Sequence, residues 1–190
     1  MGEGSGREHV PTRGPGGERR DELSAWRQSP LTGRDQDVHG HQGERLYVPP
    51  PAEMTWLEGV DELPAGDVVV TRIPLGPGAW LVIGDMTAAG RQRIETAPGN
   101  VDPLIVDVRD GWFRLRLEGP GAADILQSGV DLDLHPAAWP PGRGAPTAYR
   151  EIPIILYARA ADCFEVCTPR SYARCLWDWL ADAVAAPGGV

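Results

Sequence analysis

The sequence predicts an α+β fold, an antiparallel sheet with helices packed on it, resting on three observations. Phe113, Leu115 and Leu117 alternate with Arg114, Arg116 and Glu118, the period-two pattern of a half-buried antiparallel strand with one apolar and one wet face. Tyr172, Leu176, Trp179, Leu180 and Ala183 recur at i, i+4, i+7, i+8 and i+11, the apolar stripe of a helix over 171–186. Over 104–186 the patterns run strand, helix, strand, strand, helix, an order that suits helices on an antiparallel sheet. With 190 residues the chain is long enough for one well-buried core and too short for two.

Residues 1–53 are rich in Gly, Arg, Glu and Pro, poor in aliphatic side chains, and end in the VPPPAEM run. Such a segment buries too little apolar surface to offset its ordering entropy, so it is expected to be a disordered extension. A single domain is expected over 54–186, with a short tail at 187–190. DVVVTRIPL (67–75) and GAWLVIGD (78–85) read as strands, and 86–97 as a short helix. PLIVDV and WFRLRLEG flank Asp110-Gly111, a dipeptide suited to a tight hairpin turn. GPGAADILQSG (119–129) reads as a helix opened by Pro120 and closed by Gly129. EIPIILYARA (151–160) and DCFEVCTP (162–169) read as strands joined by a tight turn. Ser171 is the expected N-cap of the last helix, and Pro187-Gly188 its stop.

Charge and composition exclude several functions. The net charge of −9 and pI near 4.9 argue against a nucleic-acid or anionic-membrane surface, both of which need a basic face. All 18 cationic residues are Arg, so neither a Schiff-base lysine nor a lysine base is at hand. No stretch approaches the ~18 apolar residues of a membrane helix, and the start has no signal-peptide core, so a cytoplasmic protein is expected. Cys163, Cys167 and Cys175 are an odd set without a CxxC pair, which reads as reduced thiols rather than a disulfide or zinc framework. Neither GPGAW nor GPGAAD completes a GxGxxG dinucleotide fingerprint, since the third glycine is absent from both, position 124 being Asp in the second.

One segment does invite a chemical reading. In VDLDLHPAAWP (130–140), Asp131, Asp133 and His135 fall at alternate positions, so an extended chain would turn all three to one side as metal ligands or an acid/base set. His39 and His41 would form a site only if the N-terminal segment were ordered.

The order of DVRDGWFRLRLEGPGAADILQSGVDLDLHPAAWP and TAYREIPIILYARAADCFEVCTPRSYARCLWDWL resembles the gamma subunit of heterotetrameric sarcosine oxidase, a family similar to the folate-binding fold of glycine-cleavage T-protein. The likeness covers about 101–182, and more loosely 54–100. It implies a non-catalytic subunit of a cytoplasmic complex that oxidatively demethylates sarcosine to glycine and passes the one-carbon unit to tetrahydrofolate. Alpha, beta and delta subunits are the implied partners, holding FAD, FMN, NAD and tetrahydrofolate, with no catalytic, cofactor or metal residue in this chain. Under that reading Asp133 satisfies backbone N–H groups at a turn rather than binding metal.

Seven tryptophans make a tryptophan-rich chain. Trp177 and Trp179 point about 200° apart on one helix, so with Trp179 in the stripe Trp177 faces outward as an interface anchor. Trp139 and Arg143 in WPPGRG, and Arg170, complete the expected partner interface. Arg150, Arg170 and Arg174 could bind a carboxylate, although a solvated surface is the simpler reading. Two other functions remain in view: a stand-alone folate-binding, aminomethyltransferase-like protein, and the equivalent subunit of a related N-methylamino-acid dehydrogenase.

Overall fold

A computed structural model describes residues 30–31, 36–61, 63, 71–84, 86–100 and 102–186. Strand β1 is Asp37–His39, β2 Arg45–Tyr47, β3 Met54–Glu58, β4 Thr71–Gly76 and β5 Ala79–Ile83; helix α1 is Ala88–Thr96. After β6 (Leu104–Asp107) and β7 (Trp112–Glu118) come α2 (Ala122–Gln127), β8 (Gly144–Tyr149), β9 (Ile152–Ala160), β10 (Cys163–Pro169) and α3 (Ala173–Ala185). The strands make two antiparallel sheets: six strands in the order β1-β2-β7-β10-β9-β8, and four in the order β4-β5-β3-β6.

The larger sheet is covered on both faces. Phe113, Leu115 and Leu117 of β7, with Phe164 and Val166 of β10, point to the side where α2 and α3 lie, and pack with Ala122, Leu126, Leu176, Trp177 and Leu180. Each such aliphatic or aromatic side chain contributes about 1.5–3 kcal/mol by leaving water. The opposite face meets the smaller sheet, where Cys167 and Ile155 pack on Met54, Ile73, Leu81 and Ile83. Pleating turns the alternate residues Leu57 and Val82 outward, and Ile94 of α1 closes over them. The layers are therefore helices, six-stranded sheet, four-stranded sheet, helix, an α+β architecture as predicted.

Several local expectations are corrected. Residues 36–53 are not a disordered extension: β1 pairs with β2, β2 pairs with β7, and Leu46 is fully buried. Two short strands lengthening an existing sheet need only one or two buried side chains, which a compositional average hides. Residues 1–29 and 187–190, and with them the Pro187-Gly188 stop, lie outside the described residues, as do residues 67–70 of the expected 67–75 strand. Asp110-Gly111 does not close a hairpin either, because β6 pairs with β3 in one sheet and β7 with β2 and β10 in the other. The turn hands the chain between sheets, and neither residue takes the positive φ that a two-residue type I′ hairpin requires. Ser171 is not the N-cap: Arg170–Tyr172 form a 3₁₀ turn leading into α3, and the capping position is Tyr172.

The two sheets approach closely at Gly144 in β8. A Cβ there would lie 2.6 Å from Ile73 Cγ2 of β4, so the absent side chain is what lets the sheets meet.

Candidate partner interface

The Asp131/Asp133/His135 segment resolves into a turn. Asp133 Oδ1 accepts the His135 backbone N–H at 2.9 Å, and His135 Nδ1 accepts the Ala137 N–H at 3.3 Å. Both side chains thus hold backbone, as expected for Asp133. Among the described residues no three His, Cys, Asp or Glu side chains converge as a metal site.

The GPGA turn has the wrong electrostatics for a pyrophosphate. A Cβ at Gly121 would sit 2.5 Å from Glu44 Oε1, so a carboxylate occupies the ground a phosphate would need. Glu44 is itself buried and accepts the Gln42 N–H at 3.0 Å.

Two of the four expected interface residues are core residues instead. Trp177 is 2% exposed and Trp139 4%, both packed in the cluster beneath the helices. The α3 stripe is Ala173, Leu176, Trp177, Leu180 and Val184, rotated from the expected one. Trp179 is the half-buried tryptophan, with the Arg150 guanidinium 5.0 Å from its ring centre. Arg143 is exposed and stacks 4.7 Å from the Trp139 ring while donating to Ala138 O at 2.6 Å. Arg170 is half-buried and lines the cavity described below.

Sequence reasoning missed the charged layer between the sheets. Glu165 in β10 is fully buried and faces the smaller sheet. Arg114 Nη1 lies 3.0 Å from its Oε1, while Arg159 Nη1 and Arg116 Nη2 lie 2.9 and 3.4 Å from Oε2. Arg159 Nη1 also donates to Thr71 Oγ1 at 3.1 Å, tying β9 to β4 across the sheets. Arg116 Nη1 donates to the Tyr47 hydroxyl at 3.3 Å, and that hydroxyl donates to Glu118 Oε2 at 3.1 Å. Burial opposes the charge on Arg116, but the Tyr47 hydrogen bond and the Glu165 carboxylate outweigh it and its pKa is raised. One carboxylate thus serves three guanidiniums, leaving the cluster net positive. The wet face read for β7 is this layer: the Arg114 side chain is only 10% exposed. The sequence signal was Glu165 itself, a lone charge in the apolar run CFEVC beside two arginines at period two.

Beside this layer opens a cavity of about 510 Å³, walled by Met54, Trp112, Phe113, Arg109, Arg114 and Arg170. Arg114 Nη2 donates to Pro50 O at 2.7 Å, fixing one wall of it. The Trp112 ring lies 6.1 Å from that of Trp56 on β3. Aromatic rings beside arginines are the composition of protein–protein contact surfaces.

A family model described as sarcosine oxidase, gamma subunit family, matches residues 63–186. The chain belongs to that family. Curated relatives agree: the sarcosine oxidase subunit gamma of Corynebacterium sp. strain U-96 is 29% identical over 122 residues, 64% of this chain and 60% of the relative. That of Corynebacterium sp. strain P-1 is 27% identical over the same shares, and that of an Arthrobacter species 26% identical over 58% of this chain and 54% of the relative. The matched part thus spans about 60% of the length of the two Corynebacterium relatives. Among solved structures, a chain of heterotetrameric sarcosine oxidase from Corynebacterium sp. U-96, in complex with pyrrole 2-carboxylate, superposes with a TM-score of 0.69 at 21% identity, covering 86% of this chain and 99% of that one. That solved chain therefore shares the two-sheet fold described above. Among the described residues no helix is long and apolar enough to cross a membrane.

Proposed function

We propose that this gamma-family chain is a packing subunit of a heterotetrameric sarcosine oxidase, an assembly that oxidatively demethylates sarcosine to glycine and passes the one-carbon unit to tetrahydrofolate. The observation that carries the reading is the family match over residues 63–186, which takes in β4 through β10 and helices α1, α2 and α3. In this reading the alpha, beta and delta subunits are the partners. FAD, FMN, NAD and tetrahydrofolate are held by those chains and supply the redox and one-carbon chemistry. This chain's part is to present a rigid surface. The internal polar groups fit that role: Glu165 and its three arginines, Glu44 at Gly121 and Asp133 at its turn each hold the fold's own strands and loops.

The test is affinity purification of the tagged full-length chain from its own host, followed by identification of co-purified chains, a flavin absorbance spectrum and sarcosine-dependent peroxide production. Yellow material that contains larger partner chains and oxidises sarcosine supports the assignment. A colourless, solitary chain defeats it, and tetrahydrofolate binding by that chain would then favour a stand-alone folate binder.

A further inference from the structure

Two acids are buried among the described residues, Glu165 and Glu44, and they are treated differently. Glu165 has three guanidiniums around it. Glu44 is 5% exposed; its Oε2 accepts the Gln42 N–H at 3.0 Å, and among the described residues it makes no other hydrogen bond and no ion pair. A carboxylate taken out of water without a counter-ion is costly, so a fold that keeps one has a use for the charge.

The groups around Glu44 are acceptors as well. A cavity of about 70 Å³ lies between the β1–β2 loop, the start of α2 and the end of α3, lined by Glu44, Asp124, Val184 and, at the exposed loop, His41. A Cβ at Gly40 would come within 2.5 Å of Glu44 Oε2 and 3.0 Å of Val184 O, so a carboxylate oxygen and a helix carbonyl flank one point. Val184 stands in the last turn of α3, where carbonyls lack an intrahelical partner and carry the negative end of the helix dipole. That turn holds no basic residue, and among the described residues no arginine lines the cavity.

We propose that this cavity is a cation site of the calcium class, held by Glu44, Asp124 and the C-terminal carbonyls of α3, with water completing the shell. Donors that are all oxygen select a hard cation, and two carboxylates at a helix C-terminus favour a divalent one. A mixed, irregular set of side-chain and main-chain oxygens suits calcium better than magnesium, which demands a regular octahedron. His41, Glu44 and Asp124 do not converge as a ligand set of three side chains, so carbonyls and water must supply the remaining bonds. One water needs roughly 10–15 Å³, which leaves room for several beside the ion. Bound there, the ion ties the β1–β2 loop to both helices, and it pins to the body two strands that carry little buried surface of their own.

The test is run on the full-length chain as it is purified and does not depend on the subunit reading. Wild type is expected to melt at least about 3 °C higher in about 5 mM calcium than in EDTA, with choline chloride holding the ionic strength constant. Equilibrium dialysis against radioactive calcium should show about one ion per chain fewer in Glu44→Gln than in wild type. Glu44→Gln is also expected to lose the thermal shift while melting no lower than wild type in EDTA, because it removes an uncompensated charge at constant shape. Asp124→Asn, at an exposed position, keeps the test open should Glu44→Gln fold poorly, and should reduce the shift. Asp133→Asn is the control and should keep it. No shift in wild type, an equal shift with magnesium or sodium, or a full shift retained in both Glu44→Gln and Asp124→Asn overturns the assignment.

Discussion

Replacing Glu165 by Gln removes one negative charge at constant shape and tests whether the inter-sheet layer is held by electrostatics or by its surrounding hydrophobes. In the wild type, three guanidiniums lie within 3.4 Å of the carboxylate. Removing one partner of a fully buried ion pair costs about 3–5 kcal/mol, because the remaining charge is left without compensation. The arginines here are 10%, 21% and 38% exposed, so water takes up part of the loss and about 2–3 kcal/mol is expected. Urea is the denaturant of choice, since guanidinium would screen the very charges in question. For an m-value of about 2 kcal/mol/M the midpoint should fall by about 1–1.5 M. A second substitution sharpens the test: Arg159→Met should destabilise the wild type, yet cost less or even help in the Glu165→Gln background, where it removes a repelling cation. Glu165→Gln within about 0.5 kcal/mol of wild type, or an Arg159→Met cost equal in both backgrounds, refutes the electrostatic account.

Trp177→Ala should unfold the chain at lower denaturant, by about 3–5 kcal/mol, because the side chain is 2% exposed within the core rather than at an interface; a cost under about 1 kcal/mol would place it outside. Burial first, and then Glu165, pushes the Cys167 thiol well above its ordinary range. Its contribution is thus fully present below the unfolded pKa of about 8.5 and is lost as pH rises beyond it, at about 1.4 kcal/mol per unit. Urea titrations from about pH 7 to 10 should show that slope reduced in Cys167→Ala, and an unchanged slope contradicts it. Asp133→Ala should cost about 0.5–1.5 kcal/mol by thermal melting, while Asp133→Asn, which keeps an acceptor for the His135 N–H, should be nearly neutral. A melting temperature that falls on adding a chelator in wild type but not in Asp133→Asn would reopen the metal reading of this turn.

The helix period of α3 was legible and its phase was not. Both stripes contain Leu176 and Leu180, so the choice between Trp177 and Trp179 depends on what lies across the interface. Arg150 decides it in part: it adopts φ 53 at the β8–β9 turn, and its guanidinium covers the Trp179 ring, a partner from a distant strand turn that no helical periodicity reports. Asp110-Gly111 shows the same limit in a turn. Its composition correctly marks a reversal, but whether the two flanking strands pair or part is settled by β3 and β10, which compete for them and win.

The interior charge follows a rule that the sequence could have yielded in part. Strand β10 is buried on both faces from Phe164 to Thr168, and a carboxylate cannot sit at Glu165 without cations converging on it. Which cations converge is a matter of register. Glu165 stands opposite Arg116 on β7 and opposite Tyr157 on β9, and a step of two residues along either strand brings Arg114 and Arg159 to the same face. A hairpin at Asp110-Gly111 would have paired β7 with β6 on one side, so the convergence follows only once β7 is known to lie between β2 and β10. The need for a counter-ion at Glu165 is therefore local chemistry, written in CFEVC, whereas its identity is topology, set by strands that meet across the whole length of the domain.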